Sequence, residues 1–153
     1  MTVTHGTVLL EREYPVSIAR AFEAWSSETA QRTWGDPGDG WFMSFDRFAF
    51  TVGDEDVCRF GPAGGPEIFN RNHYLEIVQD TRLVYGTSLE TEGNLTFAGT
   101  VAVTFERSET GTTMRFVEQG LYLDGEDDVA GHQRGWEAMF DAMGRYLSGP
   151  IAP

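Results

Sequence analysis

Few side chains in this sequence are equipped for chemistry. The 153-residue chain carries three histidines, one cysteine and eleven cationic side chains, all arginine because lysine does not occur. Without a lysine amine there is no Schiff-base chemistry and no P-loop contact to a nucleotide phosphate. His5, His73 and His132 lie far apart, no CxxC or HxxxH pair is present, and the acidic run Asp124–Asp128 lacks calcium-loop spacing, so no metal site is expected. The G-x-S-x-G elbow and the G-x-G-x-x-G loop are also missing, which removes the usual hydrolase and dinucleotide signals, and no cofactor is expected. Cys58, on a predicted strand near a turn with no motif placing a histidine beside it, reads as an inert packed thiol.

What remains is a small polar group in apolar surroundings. Strand alternation places Arg71 and His73 on one parity of their strand and turns Glu118 inward on a late strand. If Glu118 and either basic residue share one cavity, they can orient a ligand's polar groups. Alternatively, Glu118 and His73, with Tyr85 as a further proton carrier, can act as acid and base on an enolisable substrate. The structural alternative is a buried ion pair, or side chains that reach only the cavity mouth. His132 lies four residues before Trp136 on an apolar helical stripe, where it either meets a ligand or is satisfied by core partners. Gly131 and Gly135 thin the same helix, through close packing on the sheet or as room for a ligand.

These residues need a scaffold, and the bulk properties say which kind. A chain of 153 residues suits one domain, here 1–153, and at that size roughly 70% of the unfolded surface is buried. With 41% hydrophobic and 13% aromatic residues it is too apolar to be a disordered acidic chain. The formal charge of -13 opposes a nucleic-acid backbone and an anionic membrane surface alike, so neither is an expected partner. Polar residues or glycine interrupt every apolar run before a membrane-span length. A lone cysteine and a start without a basic, then apolar, leader predict a cytoplasmic protein.

Along the chain, Thr7–Tyr14 reads as a strand stopped by Pro15, after which Ser17 caps a helix with Ile18, Ala21, Phe22 and Trp25 on one face. A second short helix is predicted over Glu28–Trp34, and the turn residues 35–40 end it. Strands follow at Trp41–Val52, Val57–Phe60, Ile68–Val78, Leu83–Leu89, Leu95–Glu106 and Thr112–Leu123, with Gly53–Asp56 as a solvated turn. Leu95, Phe97, Val101, Val103 and Phe105 form one face, and Met114, Phe116, Glu118 and Tyr122 form the inward series of the last strand. The acidic 124–128 segment caps a final helix over about 128–147, whose stripe is Val129, His132, Trp136, Met139, Phe140, Met143 and Leu147.

This order, a strand, a helix pair, about six antiparallel strands and a long last helix, resembles the START-like or SRPBCC superfamily over nearly the whole chain. The segments YPVSIARAFEAW, NHYLEIVQDTRLVY, GTTMRFVEQGLYLDGEDD and GHQRGWEAMFDAMGRYL are similar to the branch related to the activator of the heat-shock-protein-ninety ATPase, polyketide cyclase-like proteins included. Two positions depart from it: the double-glycine turn is Val52-Gly53-Asp54, and His73 stands where an arginine is common. The resemblance implies an α+β helix-grip (START-like, Bet v-like) fold, a curved antiparallel sheet wrapped around the C-terminal helix. It also implies a cavity between the two, but carries no shared catalytic set.

A lining of Trp41, Phe45, Phe69, Tyr85, Phe97, Met114, Phe116, Tyr122, Trp136, Met139 and Phe140, with Arg71, His73, Glu118 and His132 as its polar members, suits a small hydrophobic or aromatic ligand. Gly86, Gly99 and Gly120 on the strands suggest curvature and space. Three functions stay open: a ligand-binding module, a cyclase-, aromatase- or hydrolase-like enzyme, and a co-chaperone-like or stress-response interaction partner. A homodimer through a sheet edge or the last helix is compatible with each.

Overall fold

The computed structural model describes residues 2–125 and 127–150; Glu126, part of the predicted capping run, lies outside them. The elements are β1 (Val3–Tyr14), α1 (Ile18–Ser26), α2 (Glu28–Trp34), β2 (Trp41–Arg47), β3 (Glu55–Pro62), β4 (Ile68–Val78), β5 (Arg82–Thr91), β6 (Asn94–Ser108), β7 (Gly111–Leu123) and α3 (Val129–Ser148). All strands join one antiparallel sheet in the order β1-β7-β6-β5-β4-β3-β2. The sheet is a meander from β2 to β7, with β1 placed beside β7. Such an order follows from short turns between sequential strands.

Local chemistry sets the helix starts. Pro15 cannot continue the strand ladder, and the Ser17 hydroxyl accepts from the Arg20 amide at 3.2 Å, opening α1. Asp128 does the same for α3, accepting from the Gly131 amide at 2.8 Å. Helix α3 lies on the concave face against β1, α1 and α2. Among the cross-links that hold it there, the Tyr14 hydroxyl donates to the Phe140 carbonyl at 2.9 Å, and the Arg20 guanidinium donates to Tyr146 Oη at 3.0 Å. Phe22, Trp25, Phe116, Phe140 and Met143 fill the space between helices and sheet. Each fully buried large side chain contributes about 1.5–3 kcal/mol, with conformational entropy opposing.

Three expectations are corrected. Strand β2 ends at Arg47 rather than running to Val52, and the segment after it leaves the ladder because the Asp56 carboxylate captures the amides of Ala49 (2.6 Å) and Phe50 (3.1 Å). Phe50 then takes a left-handed φ of 40° and turns its ring against Tyr74. Asp56 is accordingly no solvated turn residue: it is 2% exposed and also accepts from the Tyr74 hydroxyl at 2.6 Å. Leu95 does not share the buried face of Phe97, since the register slips by one between Leu89 and Glu90 and leaves Leu95 exposed.

Candidate functional site

The uninterrupted ladders set side chains on the concave face in rows across the sheet. One row reads Tyr74, Tyr85, Val101, Glu118 and Val8 from β4 to β1. The next reads Asp56, Asn72, Thr87, Gly99, Gly120 and Gly6 from β3 to β1. Side chains in a row share a face because the period of a strand is two.

Glu118 is the one carboxylate of the first row, 3% exposed. Its Oε1 lies 2.7 Å from His132 Nδ1, and its Oε2 accepts from Trp136 Nε1 at 3.0 Å. The helical spacing i, i+4 brings both ring nitrogens over the same carboxylate. The other nitrogen of His132, Nε2, lies 3.2 Å from the Asp127 carboxylate. The imidazole thus lies between two carboxylates, one from β7 and one from the segment before α3. The ring is held between Phe97 (centroids 4.3 Å apart) and Tyr122 (4.9 Å, edge-on). Among the described residues the buried Tyr122 hydroxyl has no hydrogen-bond partner. Burial, reinforced by the charge of Glu118, Asp127 and Asp128, pushes that hydroxyl up to about 12. Tyr85, 3% exposed, is raised further, by burial first and then by Glu118 and Asp56.

The structure does not bring Arg71 or His73 to this group. In the ladder from Ile68 to Tyr74 the buried Tyr74 faces inward, so Phe69, Arg71 and His73 take the convex side. Arg71 sits 3.8 Å from Glu55, and His73 is exposed. The histidine in contact with Glu118 is His132, not His73. Trp41 is 46% exposed at the start of β2, away from the core. Phe45 is partly buried, under the Arg32 guanidinium at 5.6 Å. Phe116, Trp136 and Phe140 touch one another with ring centroids 4.4–5.4 Å apart, Met114 accepts from Trp25 Nε1 at 3.4 Å, and Met139 is partly buried beside them.

Glycines create less space than their positions suggest. The Phe97 ring lies on Gly120, where an added Cβ would stand 2.2 Å from it, and Val129 occupies the place over Gly6. Gly99 opposes Gly120 across the strands and is equally filled, whereas nothing lies within 4 Å of a Cβ at Gly86 or Gly135. The thin stretch of α3 therefore faces solvent at Gly135, and at Gly131 it admits the Asp127 side chain.

The sequence reading missed two groups. Asp127 was legible as an acidic capping residue, but nothing local shows that it meets His132. The second is a polar strip on the concave face of β4 and β5: Asn70 Nδ2 donates to Asn72 Oδ1 (3.2 Å) and Thr87 Oγ1 (3.1 Å), and Thr87 donates to Asn72 Oδ1 at 2.8 Å. These three residues are partly buried. Their signal was the alternating Asn-x-Asn of β4, opposite the parity taken for the site.

Seven antiparallel strands curved about a terminal helix, with a polar group buried between them, define the helix-grip α+β class. Residues 15–148 match the family described as Activator of Hsp90 ATPase homolog 1-like protein, and the chain belongs to that family. An uncharacterised protein from Rhizobium leguminosarum is similar at 29% identity with a TM-score of 0.86, over 96% of this chain and 97% of that one. The protein Mll3558 from Rhizobium loti is 32% identical with a TM-score of 0.84, over 95% and 99% of the two chains. DynU16, a protein of the dynemicin biosynthetic locus, shares the fold at 18% identity and a TM-score of 0.65, over 93% of this chain and 47% of its own. No curated protein matches the sequence. Among the described residues no helix is long and apolar enough to cross a membrane.

Proposed function

We propose that the protein binds a small hydrophobic or aromatic molecule on the concave face, under the N-terminal half of α3 and along the inner sides of β4 and β5. The observation that carries this reading is the partly buried Asn70–Asn72–Thr87 strip, beyond the strands on which α3 rests. Hydrogen-bonding groups set beside Leu89, Cys58 and Tyr85 are the mixture that orients an apolar ligand by a few polar contacts. The deeper rings touch one another, so the ligand is one that lies along the strip rather than at the centre of the core. Native mass spectrometry and solvent extraction of the freshly purified protein, followed by titration with an apolar fluorophore, test it. A co-purifying small molecule that displaces the fluorophore supports the reading; an empty protein that takes up no fluorophore overturns it.

A second reading is favoured by one distance. His132 Nδ1 and Glu118 Oε1, 2.7 Å apart, form an acid–base pair of the kind that moves a proton on an enolisable substrate, with Tyr85 behind it. A third, co-chaperone-like, reading draws on the family description and on Leu9 and Leu121, exposed on the convex face. Binding to a purified chaperone, abolished by Leu121→Lys, distinguishes it from the first two.

A further inference from the structure

The two edges of the sheet are built differently. The β2 edge is short, seven residues, and its register slips between Phe45 and Arg47. The β1 edge is twelve residues long and pairs with β7 without a single irregularity from Val3 to Tyr14. Among the described residues no backbone hydrogen bond reaches the free side of β1 within Val3–Glu13. Proteins blunt such edges with bulges, prolines, lysines or a cover, because unpaired amides and carbonyls template another strand. Here there is no proline or bulge within the strand, and no lysine in the chain.

We infer that β1 pairs antiparallel with β1 of a second copy about a two-fold axis at Leu9, joining two sheets into one. The sequence of the strand selects that register. On the convex side Leu9, 68% exposed, meets Leu9 of the second copy, and His5 of each copy falls opposite Glu13 of the other, with Thr7 opposite Glu11. Both His5 and Glu13 are exposed, and Glu13 accepts from the Thr113 hydroxyl through one oxygen, at 3.2 Å, leaving the other for the pair. On the concave side Arg12 and Tyr14 fall opposite Gly6 and Thr4, small residues that suit the place. An open groove of about 510 Å³ already runs there between the end of β1 and α3, lined by Arg12, Tyr14, Asp141, Gly144 and Arg145 among others. Shifting the axis by one residue, to Val8, separates the two leucines and leaves Glu13 opposite Val3, so the Leu9 axis is the self-complementary one. A two-fold interface of this kind is isologous, each surface being its own partner.

Sedimentation velocity and native mass spectrometry over a concentration series read the association directly, with circular dichroism to show that each variant is folded. The wild-type chain is expected to dimerise. Leu9→Lys abolishes the dimer by placing two ammonium groups on the axis. Glu13→Arg weakens it about tenfold, since symmetry counts each cross-strand pair twice, and the double variant His5→Glu with Glu13→Arg restores it. A chain that stays monomeric throughout the series, or a dimer indifferent to Leu9→Lys and Glu13→Arg, overturns the proposal.

Discussion

Glu118 and His132 face each other across the interior, 2.7 Å apart and both nearly inaccessible, and this contact ties the first turn of α3 to β7, the strand next to the edge of the sheet. With the Trp136 indole on its other oxygen, the carboxylate is held by two donors from one helix face. Buried charges persist where such partners satisfy them, and removing one partner strands the other.

Replacing Glu118 by Leu leaves two buried ring nitrogens without their acceptor, with an expected loss of about 3 kcal/mol in urea unfolding, against about 1 kcal/mol for Glu118→Gln, which keeps an oxygen for Trp136. A double-mutant cycle of Glu118→Gln with His132→Ala should show a coupling of at least about 0.5 kcal/mol. Additive losses would mean that the contact carries no stability of its own.

The proposed ligand face separates residues that a single strand holds side by side. Asn72→Leu and Thr87→Val should reduce apolar-probe affinity several-fold, whereas Arg71→Ala and His73→Ala, on the opposite side of β4, should leave it unchanged. His73→Ala should also shift stability by no more than about 0.5 kcal/mol. Loss of binding in His73→Ala would place the ligand on the convex face instead.

Gly120→Ala and Gly86→Ala form a matched pair. At Gly120 the new methyl meets the Phe97 ring at 2.2 Å, and the ring is itself enclosed, so a cost of about 1–3 kcal/mol is expected. At Gly86 the methyl enters open space and the unfolded chain loses freedom, so stability holds or rises slightly. Thermal melts of the two variants decide it, and equal melting temperatures would contradict the packing described.

Burial pushes the Cys58 thiol from about 9 to about 11. At about pH 8 it is overwhelmingly the thiol, so iodoacetamide should label the native protein far more slowly than the urea-unfolded one. A raised thiol pKa favours the fold below the unfolded value and ceases to do so as the pH climbs to the folded one. Cys58 therefore contributes to a decline in stability between about pH 9 and 11, which Cys58→Ala should flatten. Rapid native labelling would show the thiol to be open to solvent.

Much of the architecture was legible locally. Capping by Ser17 and Asp128, the stop at Pro15 and the alternation of β6 and β7 each involve residues a few positions apart, and the resulting element order already pointed to the helix-grip arrangement. The inward parity of Glu118 was legible for the same reason: Met114, Phe116 and Tyr122 share its phase. Strand β4 was harder. Both of its faces carry apolar residues, Phe69 and Leu75 against Ile68 and Tyr74, and its register shifts between Tyr74 and Glu76, so its phase was not visible and His73 was assigned to the wrong side.

The sequence by itself determined the order of strands and helices, which face of the late strands is apolar, and that no lysine amine or cysteine pair is present. The tertiary structure alone decided that His132, Trp136 and Asp127 gather about Glu118, that Asp56 pulls the chain out of β2, and that Phe97 fills the space over Gly99 and Gly120. The physical reason is range. Propensity, capping and strand phase are fixed by neighbours along the chain, whereas these contacts depend on how α3 docks and how register carries a side chain across adjoining strands, which no local pattern encodes.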